Sequence, residues 1–239
     1  MPDNIKKMRL KFSKTGNMRF IGHLDVMRYF QKVIRKAEIP IRYSEGFHPH
    51  QIMSFASPLG MGLISSGEYV DMDLVCTEEE YSAADIMNRM NKVLSEGISI
   101  LDAAYLPYKE PNAMASVAAA SYIVHYTDKS FDMSFEEICR KKTVFFDEAS
   151  SINIIKKTKK GERKVDLKPL IYRFDIKPEA NGYFFDLMLS SGSQDNIKPE
   201  LMLDTFHEAM GISTEAYHFF IERTDLYKNV DNTFVPLIG

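Results

Sequence analysis

The sequence predicts an α+β protein built from two tandem ferredoxin-like (βαββαβ) halves with antiparallel sheets, the second half carrying an inserted β-hairpin. Two observations lead to this prediction. Short segments in which apolar and polar residues alternate, as in half-buried strands, are interspersed with segments that carry apolar residues at helical spacing. In residues 7–106 these segments follow the order β-α-β-β-α-β, and the remainder of the chain repeats that order with one extra strand pair.

The first half begins with Met8, Leu10 and Phe12, which alternate with Arg9 and Lys11 and predict a half-buried strand. The elements predicted for this half are, in order, a strand, a helix, two strands, a helix and a strand, over residues 8–12, 23–38, 41–43, 70–74, 77–94 and 98–106. The second helix is predicted to begin at a capping residue, Thr77, with Glu80 three positions later. Residues 42–67 are predicted to contain a long loop.

The second half is predicted to begin after Pro107 and Pro111, so the expected domains are residues 1–110 and 111–239. Its predicted elements are a strand, a helix, a hairpin, two strands, a helix and a strand, over residues 121–127, 135–142, 152–166, 171–176, 183–189, 199–210 and 217–223. We expect a loose tail from Asn229.

The composition favours a globular cytoplasmic protein, since 45% of the residues are hydrophobic and no stretch is long and apolar enough to span a membrane. The two cysteines, Cys76 and Cys139, lie far apart and suggest neither a disulfide framework nor an iron–sulfur or zinc site. The chain lacks a Walker A motif, and His207-Glu208 lacks the second histidine of a zincin helix.

Positive charge is concentrated in two segments although the net charge is −3. Residues 1–50 contain 11 Lys and Arg against 4 Asp and Glu, and residues 156–168 contain 7 against 2. Residues 67–110 have the opposite bias, with 3 against 10. These segments either form a positive surface that binds nucleic acid or neutralise the acidic segment.

The start of the first predicted helix is one candidate site. His23 and Asp25 lie in the first turn, where the helix dipole favours an anion and lowers the pKa of a histidine, so either residue could act in acid–base catalysis. Alternatively, Asp25 caps the helix and His23 packs beside Phe20. Arg28, Lys32 and Arg35 form a basic stripe, which either follows a phosphate backbone or is an ordinary solvated helix face.

The predicted loop is a second candidate site. His48, with His23 and His50, could form a three-histidine metal site, although the spacing does not require one and we expect no metal. Phe47 and Phe55 could stack on a base or anchor the loop. The remaining candidates are the anion-binding Arg19 and Arg42 and the glycines that allow tight turns or close approach to a ligand, Gly46, Gly60, Gly62 and Gly67.

The inserted hairpin, with residues 152–168, is a third candidate. It has a dense positive charge without aromatic residues, so it would contact phosphates without reading bases, or else be solvated. Its basic residues are Lys156, Lys157, Lys159, Lys160, Arg163 and Lys164. In contrast, the open sheet face of the first half should carry cross-strand ion pairs between Arg9 or Lys11 and Asp71 or Asp73, and we do not expect it to bind RNA.

The stretch from residue 11 to 74, which includes KTGNMRFIGHLD, YSEGFHP, SFASPLGMG and GEY, closely resembles the radical-SAM-linked family of unknown function. The segment KKTKKGERKVDLKPLI is similar to a second signature of that family. The resemblance implies a domain found at the end of a radical SAM protein or encoded beside one. The iron–sulfur cluster and S-adenosylmethionine would then belong to the partner, and no cofactor is expected in this chain. More distantly, the doubled ferredoxin-like layout is similar to the RAMP endoribonucleases, although their C-terminal glycine-rich loop is missing here.

The sequence and the resemblance together favour an RNA-binding accessory protein that acts with a radical SAM enzyme on tRNA or rRNA. The loop of residues 42–62 would fold over the helix start, so that His23, Asp25, Arg28, His48 and His50 line one pocket. Two alternatives stay open: an endoribonuclease or RNA-modifying enzyme with His23 or His48 as its acid–base, and a protein–protein interaction module for the radical SAM partner.

Overall fold

The computed structural model describes residues 5–107, 109–126, 133–158, 161–180, 182–192, 195–211 and 219–238. The chain forms two compact units, one of residues 1–118 with 223–239 and one of residues 119–222. Both units combine helices with antiparallel strand pairs, which confirms the predicted α+β class. None of the described helices is both long and apolar enough to cross a membrane.

The first unit contains an antiparallel sheet that is covered on one face by two helices. Strand β1 pairs with β3 on one side and with β4 on the other, and the short β2 pairs with β3. The elements are β1 (Ile5–Lys14), α1 (His23–Lys36), β2 (Met53–Phe55), β3 (Ile64–Val75), α2 (Ala83–Asn91), β4 (Ile98–Leu106) and α3 (Ala113–Ser116). A short 3-10 turn, Gly16–Phe20, precedes α1.

The core of the first unit lies on one face of this sheet. Met8, Leu10 and Phe12 are buried there, as their alternation in the sequence predicts, and α1 packs Phe30 and Ile34 against them. The other face carries the cross-strand ion pair between Arg9 and Asp71, whose Nε and Oδ1 atoms are 2.7 Å apart. The predicted ion pairing on this face is therefore confirmed at this position.

The second unit contains β5 paired with β9, which in turn pairs with β8. Its helices pack large aromatic side chains, among them Phe206 of α5, against Phe174 and Phe185 of the strands. The elements are β5 (Ala119–Tyr126), α4 (Phe135–Lys142), β6 (Asn153–Thr158), β7 (Gly161–Asp166), β8 (Ile171–Glu179), β9 (Gly182–Ser190) and α5 (Pro199–Ala209). Strands β6 and β7 form a separate two-stranded hairpin, as predicted.

Three local predictions are wrong. The strand predicted over residues 41–43 is replaced by isolated bridges at Ile41 and Tyr43, and β2 lies at Met53–Phe55 instead. The second helix begins after Ser82 and not at Thr77, because Ser82 and Asp85 form a complete capping box. The tail is not loose: β10 (Phe219–Val230) is followed by β11 (Thr233–Pro236), which pairs with it. The tandem ferredoxin-like arrangement and the domain boundary at residue 110 stay predictions.

Candidate functional site

The first part of the predicted loop forms a narrow projection with an aromatic tip. Tyr43 pairs with Gln51, and the Ser44 amide donates to the His50 carbonyl at 2.8 Å. The Ser44 hydroxyl also accepts from the His50 amide at 3.0 Å, which ties the base of the projection together. Phe47 at the tip is 101% exposed. We call residues 41–52 the hairpin loop.

The hairpin loop is tied to helix α1 beside the basic stripe. The Gln51 side-chain amide donates to the Gln31 carbonyl at 3.3 Å. Gln31 lies three residues after Arg28 and four before Arg35, so it shares their side of the helix. Arg28, Arg35 and Lys32 are all exposed. The structure thus places three solvent-facing cations next to the base of the hairpin loop.

Exposed apolar side chains surround the start of helix α1. Phe20 and Leu24 are each 60% exposed and Met61 is 70% exposed, and we call these three residues the apolar patch. The Gly62 amide donates to the Arg19 carbonyl at 2.8 Å, which fastens the end of the predicted loop to the turn before the helix. The Arg19 guanidinium lies 4.6 Å from the centre of the Phe20 ring. Large exposed apolar side chains that cluster in this way are typical of interaction surfaces.

Behind the helix start lies a small cavity of about 10 Å³, enough for roughly one water molecule. Two ionisable side chains that line it are almost completely buried: Lys14 is 2% exposed and Glu68 is 4% exposed. The Lys14 ammonium donates to the Ile21 carbonyl at 2.9 Å. Burial lowers the pKa of Lys14, and the charge of Arg223 acts in the same direction while that of Glu68 opposes it. The full lining is Phe12, Lys14, His23, Val26, Phe55, Ser57, Leu59 and Glu68.

Arg223 of β10 holds the Glu68 carboxylate in a two-pronged ion pair. Its Nε donates to Oε1 at 2.7 Å, and its Nη2 contacts Oε2. The same Nη2 donates to the Ser57 carbonyl at 3.0 Å. Arg223 is 3% exposed, so neither charge of the pair is solvated to a useful degree. This ion pair joins β3, β10 and the segment that covers the helix start.

Glycine at position 67 is required by the protein backbone and not by a ligand. A Cβ atom at Gly67 would lie 2.3 Å from the Thr224 carbonyl oxygen. The Ser65 hydroxyl bridges the same two strands, since it donates to the Arg223 carbonyl at 2.8 Å and accepts from the Gly67 amide. Gly46 and Gly62 are different: they adopt positive φ, at +112° and +87°, as the predicted tight turns require.

The structure does not bring the five residues that were predicted to share one pocket into a single cavity. His23 alone among them lines the cavity, where its ring meets Phe55 edge-on at 5.4 Å. Asp25 does not cap the helix; it accepts from Arg28 at 3.2 Å on the exposed surface, and Gly22 is the N-cap residue. His48 is exposed on the hairpin loop, close to its tip.

Three further predictions of site residues need correction or restriction. No group of three or more His, Cys, Asp or Glu side chains within the described residues could hold a metal ion, so the three-histidine site is not formed there. Phe55 is 6% exposed and packs on Phe12 and Phe30, which makes it a core anchor that a base cannot reach. Arg42 pairs with Asp73 at 3.5 Å.

The basic hairpin is described only in part. Its backbone pairs Lys156 with Arg163, and Lys164 is exposed. Two of its basic residues lie outside the described part of the chain, Lys159 and Lys160. So do the side chains of three others, Lys156, Lys157 and Arg163. The predicted phosphate contacts of this hairpin therefore stay a prediction.

Sequence reasoning overlooked the buried charges, although a signal was present. Lys14 continues the alternation of Met8, Leu10 and Phe12, and therefore points to the core face of β1. Glu68 likewise precedes the buried Val70 of β3 by two residues. A charged residue at a core position of a strand indicates a buried partner.

A family model described as "Uncharacterized protein conserved in bacteria (DUF2344)" matches residues 7–199. No curated protein matches the chain. The similar solved structures include a Cbf5-Nop10-Gar1 complex, at 10% identity and a TM-score of 0.47, covering 92% of this chain and 48% of that chain. They also include an unknown protein from Galdieria sulphuraria, at 9% identity and a TM-score of 0.24, covering 92% of this chain and 98% of that one. The chain spans about half of the first structure's chain, and these scores support no conclusion on function. Since the family model covers most of the sequence, the chain belongs to this bacterial family.

Proposed function

We propose that this protein binds RNA through the hairpin loop and the basic stripe of helix α1, and that it does so as the accessory of a radical SAM enzyme that modifies or processes tRNA or rRNA. One observation carries the RNA-binding part: the fully exposed Phe47 projects from a hairpin loop whose base is hydrogen-bonded to the helix beside Arg28, Lys32 and Arg35.

An exposed aromatic ring beside a row of cations suits single-stranded or looped RNA. Unpaired bases stack on aromatic side chains, and each such stack is worth about 1–3 kcal/mol. Phe47 has no packing role inside the protein, because its side chain is completely exposed. Tyr43, which is 45% exposed at the base of the hairpin loop, offers a second ring. The loop would therefore hold bases while the helix holds the phosphates.

The basic stripe supplies charge without a matching acid for each cation. Arg28 is the one residue of the stripe in an ion pair within the described chain, and this pair with Asp25 is 70% and 63% exposed. Exposed pairs of this kind contribute roughly 0–1 kcal/mol, so a phosphate could displace Asp25 at little cost. Binding of this kind weakens steeply as the salt concentration rises.

The radical SAM partner follows from the resemblance of residues 11–74 and is part of the proposal. In this arrangement the partner supplies the iron–sulfur cluster and S-adenosylmethionine, and this chain supplies the RNA contacts. We extend the proposal to two tandem ferredoxin-like halves. The pairs β4–β1, β1–β3 and β3–β2 support this arrangement for the first half, and the pairs β5–β9 and β9–β8 are compatible with it in the second.

The apolar patch favours a second candidate function, that of a protein–protein interaction module. Phe20, Leu24 and Met61 present three large apolar side chains around the helix start, and the charged Arg19 lies beside them. Such a surface is typical of contacts with another protein. The two functions are compatible, since the patch and the hairpin loop consist of different residues.

The test is RNA binding by the full chain across a salt series. Phe47→Ala should weaken binding of a looped RNA about fivefold or more, from the lower end of the stacking energy, with little change in salt dependence. The triple variant Arg28→Ala, Lys32→Ala and Arg35→Ala should weaken binding and also flatten the salt slope, because about three phosphate contacts are lost.

Matched control variants remove an aromatic ring, or three cations, at other exposed positions of the chain. Tyr172→Ala deletes another exposed aromatic ring, and the triple variant Lys92→Ala, Lys109→Ala and Lys198→Ala deletes three other exposed cations. Neither control should change the affinity more than about twofold. Absence of binding by the wild type, or equal losses in test and control variants, would refute the proposal. A stable complex with the radical SAM protein that Phe20→Ala weakens, without RNA binding, would favour the interaction module.

A further inference from the structure

The first unit contains a second cavity, which shares no lining residue with the cavity behind the helix start. It is a groove of about 810 Å³ on the sheet face opposite α1 and α2. Its floor includes one row of residues across three strands, in which Lys7 of β1 lies opposite Leu106 of β4 and opposite Asp73 of β3. The Asp73 amide donates to the carbonyl of Ile52, the residue before β2. A volume of this size lies within the range of small-molecule sites, about 300–1,000 Å³.

The acidic groups on the floor of the groove are already paired. Asp71 accepts from the Arg9 guanidinium at 2.7 and 3.0 Å and from the Ala113 amide at 2.7 Å. Asp73 pairs with Arg42 at 3.5 Å, and at the rim Glu78 lies 3.9 Å from Lys6. These carboxylates do not leave an excess of negative charge that would call for a cationic ligand.

Lys7 is different, because it makes no salt bridge within the described part of the chain. The Glu110 carboxyl pairs with Lys228 at 2.8 Å, which lowers the pKa of that carboxyl, and the charge of Lys7 only adds to this effect. It lies directly opposite Asp73 in the register of β1 and β3, yet Asp73 is turned to Arg42. The Lys7 ammonium instead donates to the backbone carbonyl of Glu110 at 3.3 Å. Within the described part of the chain Lys7 makes no ion pair, and it is half-buried. A half-buried ammonium with one long hydrogen bond to a neutral acceptor favours an added anion.

The rest of the groove is lined by apolar groups. Ile5, Ile52, Leu106 and Pro107 line it, together with Met53 and Tyr105, which also pack against the hydrophobic core. We propose that the groove binds a small amphipathic anion, whose aromatic or aliphatic body packs between these side chains and whose one carboxylate, sulfonate or phosphate group contacts Lys7. This inference does not depend on RNA binding, because the groove shares no residue with the hairpin tip or the basic stripe.

The probe for this site is 8-anilinonaphthalene-1-sulfonate, which combines an aromatic body with one anionic group. Its neutral analogue, N-phenyl-1-naphthylamine, has nearly the same body without the sulfonate. Titration of the full chain, followed by fluorescence, should show one saturable site that binds the sulfonate more tightly than the amine. Lys7→Gln should weaken the sulfonate about tenfold and leave the amine within about twofold, since only the charge contact is lost.

Two further variants keep the test decisive. Lys7→Arg retains a cation and should restore most of the affinity, and Lys92→Gln removes an exposed lysine that does not line the groove and should have no effect. Circular dichroism would first establish that each variant is folded. The inference is overturned if the wild type does not bind the sulfonate, if Lys7→Gln binds it as tightly as the wild type, or if both probes lose affinity equally. Binding of the sulfonate to the apolar patch alone would give the second of these results.

Discussion

Removal of Arg223 should destabilise the first unit by several kcal/mol. Arg223→Met keeps most of the aliphatic stem but leaves the Glu68 carboxylate, which is 4% exposed, without its two guanidinium hydrogen bonds. Truncating one partner of a buried ion pair costs about 3–5 kcal/mol, because the charge that is left can neither be solvated nor paired. The loss of the contact with the Ser57 carbonyl, at 3.0 Å, adds to this cost.

Lys14 is the reason to expect a cost at the lower end of the range of about 3–5 kcal/mol. It lines the same cavity as Glu68 but makes no ion pair with it within the described chain. If its ammonium turned toward Glu68 in the variant, the new pair would recover part of the loss at the expense of the hydrogen bond to Ile21. We therefore expect a decrease of about 3 kcal/mol in the free energy of unfolding.

The assay is urea denaturation followed by far-ultraviolet circular dichroism, because the chain has no tryptophan to report by fluorescence. Arg28→Met is the matched control: its ion pair with Asp25 is 70% and 63% exposed, so the same substitution should cost less than about 1 kcal/mol. The double variant Arg223→Met, Glu68→Leu should recover at least half of the loss, since replacing both charges by apolar groups is often neutral. A cost below about 1 kcal/mol for Arg223→Met, or no recovery in the double variant, would refute the reasoning.

Two other predictions concern pH and backbone packing. Burial lowers the pKa of His207 to about 4, so between pH 6.5 and 4 the unfolded chain binds a proton that the folded chain does not. The free energy of unfolding should therefore fall by up to about 3 kcal/mol as the pH drops through this window. Denaturation of His207→Gln, measured at each pH, should lack that part of the fall. Gly67→Ala should lower the free energy of unfolding by about 2 kcal/mol or more in the same assay, because its Cβ would lie 2.3 Å from the Thr224 carbonyl oxygen. The control Gly60→Ala, whose Cβ would lie 3.5 Å from Leu63, should be tolerated. Equal costs for the two variants would contradict this account.

The elements with strong periodicity could be predicted from the sequence alone. Helix α4 has the predicted bounds, Phe135–Lys142, and the strand over 98–106 is found at Ile98–Leu106. Helix α1 begins at His23 as predicted. In each of these segments the local pattern and the burial agree, so tertiary contacts did not change the outcome.

Competing local signals explain the error at the second helix. Thr77 and Glu80 do make the contacts of a cap, with the Thr77 amide donating to Glu80 at 2.8 Å. This turn ends, and a second capping box at Ser82 and Asp85 starts the helix five residues later. The sequence contains two N-terminal signals in series and does not show which one the helix uses.

The hairpin in the tail could have been predicted from its two turn residues. Asp231 and Asn232 both adopt positive φ, at 49° and 64°, which is the geometry of a two-residue hairpin turn and suits these residue types. The strand that follows brings Leu237 to the Arg9 guanidinium, whose Nη1 donates to its carbonyl at 3.0 Å. The contact between Arg223 and Glu68, 155 residues apart, had no local signal beyond a glutamate at a core position of a strand.

The residues that carry the sequence resemblance separate into two groups once their contacts are known. In GEY, Gly67 allows close approach to β10, Glu68 pairs with Arg223, and the Tyr69 hydroxyl donates to Asp225 at 2.5 Å, so the protein interior accounts for all three. In YSEGFHP, Ser44 and Gly46 shape the hairpin loop, but Phe47 at its tip has no internal contact to make, since it is 101% exposed.

Phe47 adds nothing to the core, since its side chain is wholly exposed, and the proposed stacking on RNA gives it a role outside the folded chain. The hairpin loop is held rigidly at its base by the pairing of Tyr43 with Gln51 and by the hydrogen bond to helix α1. A rigid base limits the entropy that is lost when a ligand stacks on the tip. The position of Phe47, more than the basic charge of the segment, is therefore the reason to look for function at this end of the first unit, and the Phe47→Ala comparison with Tyr172→Ala is the experiment that isolates it.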